Sequence, residues 1–310
     1  MTDGELGGDG AKVETRCGFV ALIGAPNVGK STLVNALVGS KVTIVSRKVQ
    51  TTRALIRGIA MVDYAQIILV DTPGIFAPKR RLDRAMVSTA WSGAHDADLV
   101  CVLLDAKVGL DDEAESIFGK VRSVDREKIL VLNKIDLVAR EGLLALAKLA
   151  NDRLGFAETF MISALSGDGV DDLRSALARE VPAGPFLYPE DQVSDAPMRQ
   201  LAAEITREKI FRQLHQELPY QSTVETDGFT ERKDGSIRIE QTIFVERESQ
   251  RKIVLGKNGA TIKSIGAEAR KELSEITGQP VHLFLFVKVR ENWGDDPDRY
   301  RGIGLQFPKE

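Results

Sequence analysis

The chain has 310 residues, 43% of them hydrophobic and 28% charged, and a formal net charge of −3. This length exceeds one typical domain, so we expect two, and the composition is that of a globular protein. The net charge excludes a polycationic nucleic-acid binder, so any nucleic-acid surface would have to be local. No apolar run approaches the ~20 residues of a membrane span.

Residues 1–16 are polar and glycine-rich and lack the apolar segment of a signal peptide, so we expect a disordered N-terminal tail. Cys17 and Cys101 lie in or beside apolar, strand-like runs, which favours buried free thiols and a cytoplasmic location. The histidines have no ligand spacing, so we predict no zinc site.

Residues 17–180 alternate apolar runs with helical patterns, which predicts an α/β fold with a mostly parallel sheet and helices on both faces. A turn at Asp63 and Tyr64 predicts one antiparallel edge strand. In such sheets ligands bind at the carboxyl ends of the strands. The predicted strands are 18–23, 54–62, 66–70, 99–104, 128–132 and 159–162, and the predicted helices are 31–38, 81–93, 112–121, 141–154 and 170–178.

The loop after the first predicted strand has the spacing G-x-x-x-x-G-K-S of a phosphate-binding loop (P-loop). Its backbone N–H groups and the following helix N-terminus can capture phosphate oxygens. Lys30 can reach the β- and γ-phosphates, and the Ser31 hydroxyl can ligate Mg²⁺. The alternative is an ordinary glycine-rich turn. Such a turn does not need the full G-x-x-x-x-G-K-S spacing between a strand and a helix, so that spacing favours a P-loop. The nucleotide-binding candidates are Gly24, Ala25, Pro26, Asn27, Val28, Gly29, Lys30, Ser31 and Thr32.

The third predicted strand runs into Asp71, Thr72, Pro73 and Gly74, a D-x-x-G motif. Asp71 suits an outer-sphere Mg²⁺ ligand, and the Gly74 N–H can meet a γ-phosphate. A second metal candidate lies in the segment 41–53, where a threonine hydroxyl could complete Mg²⁺ coordination in one nucleotide state. We choose Thr52, with Thr51 as the fallback. Alternatively, these threonines only lead into a strand.

Asn133, Lys134 and Asp136 follow the fifth predicted strand. The Asp136 carboxylate can accept two hydrogen bonds from guanine N1–H and N2–H₂, a donor pair that adenine lacks. Asn133 would tie loops together, and the Lys134 stem would lie over the base; the alternative is a solvated charged loop. Ser163, Ala164 and Leu165 follow the sixth strand, where a backbone N–H could donate to guanine O6.

The P-loop, Q-T-T-R at 50–53, D-T-P-G, N-K-I-D and S-A-L resemble the signature elements of the translation-factor-related GTPases, and P-N-V with T-T-R resembles the Era branch. The resemblance implies a GTPase that uses Mg²⁺, with GTP as substrate and GDP as product. It implies Lys30, Thr52, Gly74 and Ile75 as catalytic candidates. Ile75 stands where Ras-like proteins have glutamine, so hydrolysis would proceed without that side chain. The family pattern would also place K⁺ at Asn27.

Residues 181–197 contain four prolines and predict a linker. A helix at 198–218, strands at 222–232 and 236–246, helices at 250–255 and 260–276, and a strand at 281–290 follow. This α-β-β-α-α-β order predicts a small α+β domain over 198–310, including a C-terminal tail.

The G-x-x-G turn between the two short helices predicts a loop that meets an RNA backbone. Residues 249–271 contain six basic residues and a single acidic one, Glu268. This local excess of positive charge is typical of a nucleic-acid-binding surface. The stretch resembles a type II KH domain, and the tail at 287–297 resembles the end of Era proteins. The RNA-binding candidates are Arg251, Lys252, Ile253, Gly256, Lys257, Asn258, Gly259 and Lys263.

The Era resemblance implies binding near the 3′ end of 16S ribosomal RNA and assistance in assembling the small ribosomal subunit. We expect a monomer that binds single-stranded ribosomal RNA, and peripheral membrane association stays open. Two other functions stay open: a signalling or cell-cycle switch acting through protein or membrane partners, and a GTPase that gates a tRNA-modification enzyme.

Overall fold

A computed structural model describes residues 14–46, 48, 51–53, 55–76, 78, 80–215, 217–293, 296, 297, 300, 305 and 307. The positions predicted above that lie outside these ranges include residues 1–13, Gln50, Ala54 and Asp295. No helix in the described part is long and apolar enough to cross a membrane.

The first unit is a six-stranded sheet in the order β2-β3-β1-β4-β5-β6. Every neighbouring pair is parallel except β2 with β3, which confirms the predicted α/β fold and its antiparallel edge. The strands are β1 (Arg16–Gly24), β2 (Ile56–Val62), β3 (Ala65–Asp71), β4 (Leu99–Asp105), β5 (Glu127–Asn133) and β6 (Glu158–Ile162). The helices are α1 (Lys30–Val38), α2 (Arg81–Asp96), α3 (Asp112–Val121), α4 (Arg140–Arg153) and α5 (Val170–Glu180).

Side chains of the central strands alternate between two apolar cores, one on each face of the sheet. In β1, Val20 and Leu22 join α1 and α5 in one core, whereas Ala21 and Ile23 join α2, α3 and α4 in the other. Cys17 and Cys101 are buried free thiols, as predicted. Because β1, β3, β4, β5 and β6 run parallel, the loops that follow these strands lie at one edge of the sheet.

The predicted N-terminal tail is wrong at its last residue. Arg16 is the first residue of β1, opposite Ala65, and its Nε donates a hydrogen bond to the Val181 carbonyl at 2.7 Å. Pairing with β3 and with the linker therefore orders the chain earlier than its polar composition indicated.

The second unit has a three-stranded sheet in the order β7-β8-β9, with β7 antiparallel and β9 parallel to β8. The observed order matches the predicted α-β-β-α-α-β order. Its elements are α6 (Met198–Gln213), β7 (Ser222–Glu231), β8 (Ile237–Val245), α7 (Glu248–Leu255), α8 (Ala260–Thr277) and β9 (Val281–Val289). Helix α6 is shorter than predicted. Leu214 is extended but is still buried with Leu218 in one core, so the apolar spacing continued beyond the helix end.

The linker is fixed to the first sheet by Gln66, which is fully buried on β3. Its Oε1 accepts hydrogen bonds from the N–H groups of Leu187 (2.9 Å) and Tyr188 (3.0 Å), and its Nε2 donates to the Tyr188 carbonyl at 2.8 Å. Ser194 forms an isolated bridge to Gly58 on edge strand β2. The proline-rich segment therefore lies along the sheet rather than hanging free.

Helix α6 is buried on all sides from Leu201 to Phe211. One side packs on α8 and β7, and the segment 41–53 of the first unit contacts another. Ile44 from that segment shares an apolar core with Leu201 and Ile205. The two units are therefore joined through the segment that connects α1 to β2.

Candidate functional site

The P-loop connects β1 to α1, and Gly29 at the helix N-cap has φ +104°. Lys30 is buried, and its Nζ donates hydrogen bonds to the carbonyls of Gly24 (2.9 Å) and Ala25 (2.8 Å). Burial lowers the pKa of Lys30 to about 8, although the negative charge of Asp71 acts to raise it. The amine therefore lies inside the loop that would surround a phosphate, held by the loop's own carbonyl groups.

Three hydroxyl groups converge on one oxygen of Asp71, which is fully buried at the end of β3. Asp71 Oδ2 lies 2.8 Å from Ser31 Oγ, 2.7 Å from Thr43 Oγ1 and 3.3 Å from Thr52 Oγ1. The hydroxyl groups of Ser31 and Thr52 are 2.9 Å apart. Burial raises the pKa of Asp71, and the hydrogen bonds from Thr43 and Ser31 oppose that rise. The structure thus brings the three predicted metal-site residues together.

Asp71 Oδ1 is buried and has no hydrogen-bond partner among the described residues. A carboxylate surrounded by hydroxyl oxygens is a donor set that suits Mg²⁺, so the residues present fit that ion. The Thr51 hydroxyl instead lies 2.9 Å from Ser46 Oγ and donates to the Lys48 carbonyl at 2.6 Å. The geometry favours Thr52 over Thr51. Sequence reasoning missed Thr43, which carries no motif beyond its place in the segment 41–53.

The D-T-P-G segment packs directly on the P-loop. The Ile75 N–H donates to the Gly24 carbonyl at 3.2 Å, and a Cβ at Gly74 would lie 2.9 Å from Pro26 Cα. The Thr72 hydroxyl donates to the Leu22 carbonyl at 2.6 Å. The Ile75 side chain is buried in the apolar core of α2, α3 and α4. The Ile75 backbone therefore contacts the P-loop, while its side chain is part of the core.

Asn133 connects three loops. Its Nδ2 donates to the Val28 carbonyl at 2.8 Å, and its Oδ1 accepts from the N–H groups of Lys134 (2.8 Å) and Ala164 (3.0 Å). The P-loop, N-K-I-D and S-A-L are therefore held together by one buried amide, as its predicted role requires. Ser163 is buried beside it, whereas Leu165 is 85% exposed.

Lys134 has φ +66°, and its Nζ donates to the Asn27 carbonyl at 2.7 Å and pairs with Asp105 at 2.6 Å. Asp136 is exposed on the 3-10 turn Ile135–Leu137. Its side chain is therefore accessible from solvent. Asp105 was not singled out from the sequence, although its position at the end of β4 was a signal.

The G-x-x-G turn links α7 to α8. Gly256 and Asn258 have φ +71° and +54°, and a Cβ at Gly256 would lie 2.2 Å from Thr261 Oγ1. Arg251 pairs with Glu248 at 2.9 Å and donates to the Val287 carbonyl at 3.3 Å, so it also braces α7 against β9. The remaining predicted side chains form an exposed, largely basic rim. They are Lys252, Ile253, Lys257, Asn258 and Lys263.

Two family models match the chain. Residues 19–134 match a family described as 50S ribosome-binding GTPase, and residues 217–294 match the KH domain. The first match covers the P-loop, the segment 41–53 and the D-T-P-G motif, and the second covers the G-x-x-G turn.

Curated relatives match along the whole length. A protein of Bradyrhizobium diazoefficiens named GTPase Era is 82% identical over 300 residues, covering 97% of each chain. The GTPase Era of Rhizobium meliloti is 64% identical over 309 residues, covering 100% of this chain and 99% of the relative.

Two solved structures are similar across both units. A crystal structure of Era in complex with MgGDPNP and nucleotides 1506–1542 of 16S ribosomal RNA matches with a TM-score of 0.89 and 37% identity, covering 94% of this chain and 99% of that one. A variant of Aquifex aeolicus Era bound to GDP·AlF₄⁻ matches with the same TM-score, identity and coverage. The similarity therefore includes the placement of the two units relative to each other.

Proposed function

The chain belongs to the Era family of GTPases, and from that membership we propose a GTP-hydrolysing switch that binds the 3′ end region of 16S ribosomal RNA and assists maturation of the small ribosomal subunit. The observation that carries the switch is the meeting of Ser31, Thr52 and Asp71 at one carboxylate oxygen beside the P-loop. Thr52 belongs to the segment that connects α1 to β2. A bound γ-phosphate and metal can therefore recruit its hydroxyl, and loss of the phosphate can release it.

Residues 24–32 would hold the phosphates through backbone N–H groups, with the Lys30 amine on the β- and γ-phosphates. Ser31 and Thr52 would be direct Mg²⁺ ligands, and Asp71 would bind through water. The ion would neutralise charge that develops on the phosphate oxygens. The guanine base would lie against the aliphatic stem of Lys134, which is held in position because its amine binds the Asn27 carbonyl and the Asp105 carboxylate. Asp136 would then select guanine.

Hydrolysis requires a positioned water. The Ile75 side chain is a hydrocarbon that lies in the core, so we assign it no role in positioning the water. The Gly74 N–H would bind the γ-phosphate, and the backbone of 74–75 with Thr52 would border the water. Asn27 in the P-loop would place K⁺ near the same phosphates.

RNA binding is proposed for the second unit. Three exposed lysines surround the G-x-x-G turn: Lys252, Lys257 and Lys263. Together with the backbone of the turn, they suit the phosphates of a single-stranded RNA. The related Era crystallised with 16S ribosomal RNA nucleotides supports this target. We place the first domain from Arg16, where β1 begins, to residue 180 and the second at 198–310, with 181–197 as the linker, in a cytoplasmic monomer.

The test measures binding of two oligoribonucleotides of equal length, one with the 3′-terminal 16S sequence and one scrambled. Each is titrated by fluorescence anisotropy with the protein bound to GDP or to a non-hydrolysable GTP analogue. We expect tight binding only for the natural sequence and tighter binding with the GTP analogue. Equal, weak binding of both RNAs in both states would contradict the ribosomal target and favour a protein-directed signalling switch.

A further inference from the structure

The segment that carries Thr52 is held by the second unit on both sides of that residue. The carbonyl of Thr51 accepts a hydrogen bond from Arg207 of α6. The side chain of Arg53 enters the second unit and is only 4% exposed. Between them, the Thr52 hydroxyl lies at Ser31 and Asp71. The chain thus connects the metal site with the second unit through adjacent residues.

Arg53 occupies a built pocket. Its Nη1 donates to the Ser222 carbonyl at 2.8 Å, and its Nη2 donates to the carbonyls of Pro219 (3.2 Å) and Tyr220 (3.1 Å). The guanidinium carbon lies 5.7 Å from the centroid of the Phe211 ring and 5.6 Å from that of Trp293. We call this set the Arg53 cage: Phe211, Trp293 and the carbonyl groups of Pro219, Tyr220 and Ser222.

The cage draws on three separate parts of the second unit. Phe211 belongs to α6, the carbonyl groups belong to the turn before β7 and to its first residue, Ser222, and Trp293 follows β9. The indole N–H of Trp293 donates to the Gln221 carbonyl at 3.0 Å, which ties the last part to the turn. The cage is therefore complete only when α6, this turn and the residues after β9 are docked together.

A guanidinium matches this environment because its planar fork donates in several directions while its face packs on aromatic rings. Successive Cα atoms are ~3.8 Å apart, so Thr52 cannot leave Asp71 by several ångströms without displacing Arg53 or Thr51. Displacing Arg53 would strip a buried cation of its carbonyl partners, which is unfavourable. The cage therefore opposes withdrawal of Thr52.

We propose that Arg53 is a positioning residue for GTP hydrolysis: through its cage, the docked second unit holds the Thr52 hydroxyl at the metal site. This inference rests on the proposed role of Thr52 as a Mg²⁺ ligand. The consequence is that Trp293, remote from the nucleotide along the chain, influences the hydrolysis rate.

The test compares Arg53→Met, Arg53→Lys, Trp293→Leu and Trp293→Phe as full-length proteins. We expect Arg53→Met to lower kcat for GTP at least tenfold and to raise the Mg²⁺ concentration needed for half-maximal rate. GDP affinity should change less than twofold, because the recruited threonine serves the γ-phosphate state. Arg53→Lys should not restore the rate, since an ammonium lacks the planar fork. Trp293→Leu should lower kcat, and Trp293→Phe, which keeps an aromatic ring, should recover most of it.

Arg57→Met is the matched control, because Arg57 also links the first unit to a later segment, but its partner is Asp195, at 2.7 Å, which is not a cage residue. It should leave kcat near wild type. Circular dichroism and thermal unfolding establish that each variant is folded. If Arg53→Met does not fold, the two Trp293 variants decide, and a normal kcat for folded Trp293→Leu overturns the proposal.

Thr52→Ala, alone and with Arg53→Met, separates the two levels of inference. If Arg53 acts through Thr52, its substitution should have no further effect on kcat in the Thr52→Ala background. Full additivity of the two substitutions overturns the positioning role. Normal hydrolysis by Thr52→Ala would instead overturn the proposed metal role of Thr52.

Discussion

The side-chain amide of Asn133 occupies the space that a Cβ atom on Gly29 would need. An ideal Cβ on Gly29 would be 2.2 Å from Asn133 Nδ2, the atom that donates to the Val28 carbonyl. Gly29 also has φ +104°, a conformation that other residues rarely adopt. The close approach of P-loop backbone and Asn133 thus requires the absence of a side chain.

Gly29→Ala should therefore abolish measurable GDP binding, because the methyl group must push Asn133 away from the P-loop. Gly39→Ala is the control: Gly39 has φ +78° and nothing within 4 Å of an added Cβ, so it carries only the strain of about 1–2 kcal/mol for a left-handed residue. Calorimetry of GDP binding and thermal unfolding measure both. Equal GDP affinity of the two variants would show that the contact with Asn133 does not matter.

Asp136→Asn should weaken GDP binding sharply and strengthen binding of xanthosine diphosphate. The amide presents donors to the N2–H₂ donor of guanine, whereas xanthine has an oxygen acceptor there. A hydrogen bond to a charged group contributes about 1.5–3 kcal/mol, so we expect at least a tenfold exchange of preference. Calorimetric titration with both nucleotides is the measurement. A wild-type protein that binds ATP as tightly as GTP would refute the base assignment.

Thr52→Ala should reduce Mg²⁺-dependent GTP turnover by two or more orders of magnitude while GDP still binds. Thr51→Ala should reduce turnover far less, because the Thr51 hydroxyl contacts Ser46 and Lys48 rather than Asp71. Steady-state phosphate release over a Mg²⁺ series distinguishes the two. The reverse ranking would make Thr51 the ligand.

Changing both Lys257 and Asn258 to aspartate should lower RNA affinity well over tenfold and flatten its salt dependence. Phosphate contacts dominate such affinity, and Gly256 and Gly259 retain the turn. The matched control is Lys148→Asp with Ser123→Asp, which makes the same charge change on exposed positions of the first unit. Fluorescence anisotropy at two salt concentrations, with GTP turnover in the absence of RNA, gives the readout. Unchanged RNA affinity in the folded double variant would contradict the KH interface.

Acid should loosen the contact between the segment 41–53 and α6. Burial alone would raise the pKa of Glu208, but hydrogen bonds from Lys209 and Lys41 and from the Val45 N–H outweigh it and hold the pKa below its ordinary 4.5. Burial would likewise raise the pKa of Glu272, but hydrogen bonds from the same two lysines hold that pKa below 4.5. A folded pKa below the unfolded value means stabilisation that is complete above about pH 4.5 and lost as the pH falls through the folded pKa.

Glu208→Gln should lower the free energy of unfolding at pH 7 and reduce the further loss between pH 7 and pH 4. The decrease should stay below the roughly 3–5 kcal/mol of a fully orphaned buried charge, because Lys209 keeps its pairing with Glu272. Urea unfolding at both pH values is the measurement, with the exposed Glu275→Gln on α8 as control. Parallel pH dependence of wild type and Glu208→Gln would exclude this carboxylate as the source.

The sequence alone was sufficient for features that reside in contiguous residues. Strand and helix patterns predicted the α/β sheet and the α-β-β-α-α-β order, because periodicity reflects the local backbone and one buried face. The P-loop, N-K-I-D and G-x-x-G motifs could be placed for the same reason, since their spacing sets the geometry of a single turn. Because the nucleotide motifs follow the carboxyl ends of parallel strands, which lie at the same edge of a sheet, the sequence also indicated that they would meet.

Only the tertiary structure decided which side chains complete the site. The sequence favoured Thr52 over Thr51 but gave no reason to include Thr43, whose place in the site became clear only from its distance to Asp71. The sequence predicted helix α6 but not its surroundings: it is buried on every side from Leu201 to Phe211 because the segment 41–53 covers the face that would otherwise meet water. From the sequence, Arg53 was only the last residue of the Q-T-T-R element, and its pocket comes from residues far along the chain. Such contacts leave no periodic signal, because they depend on how separately folded elements pack together.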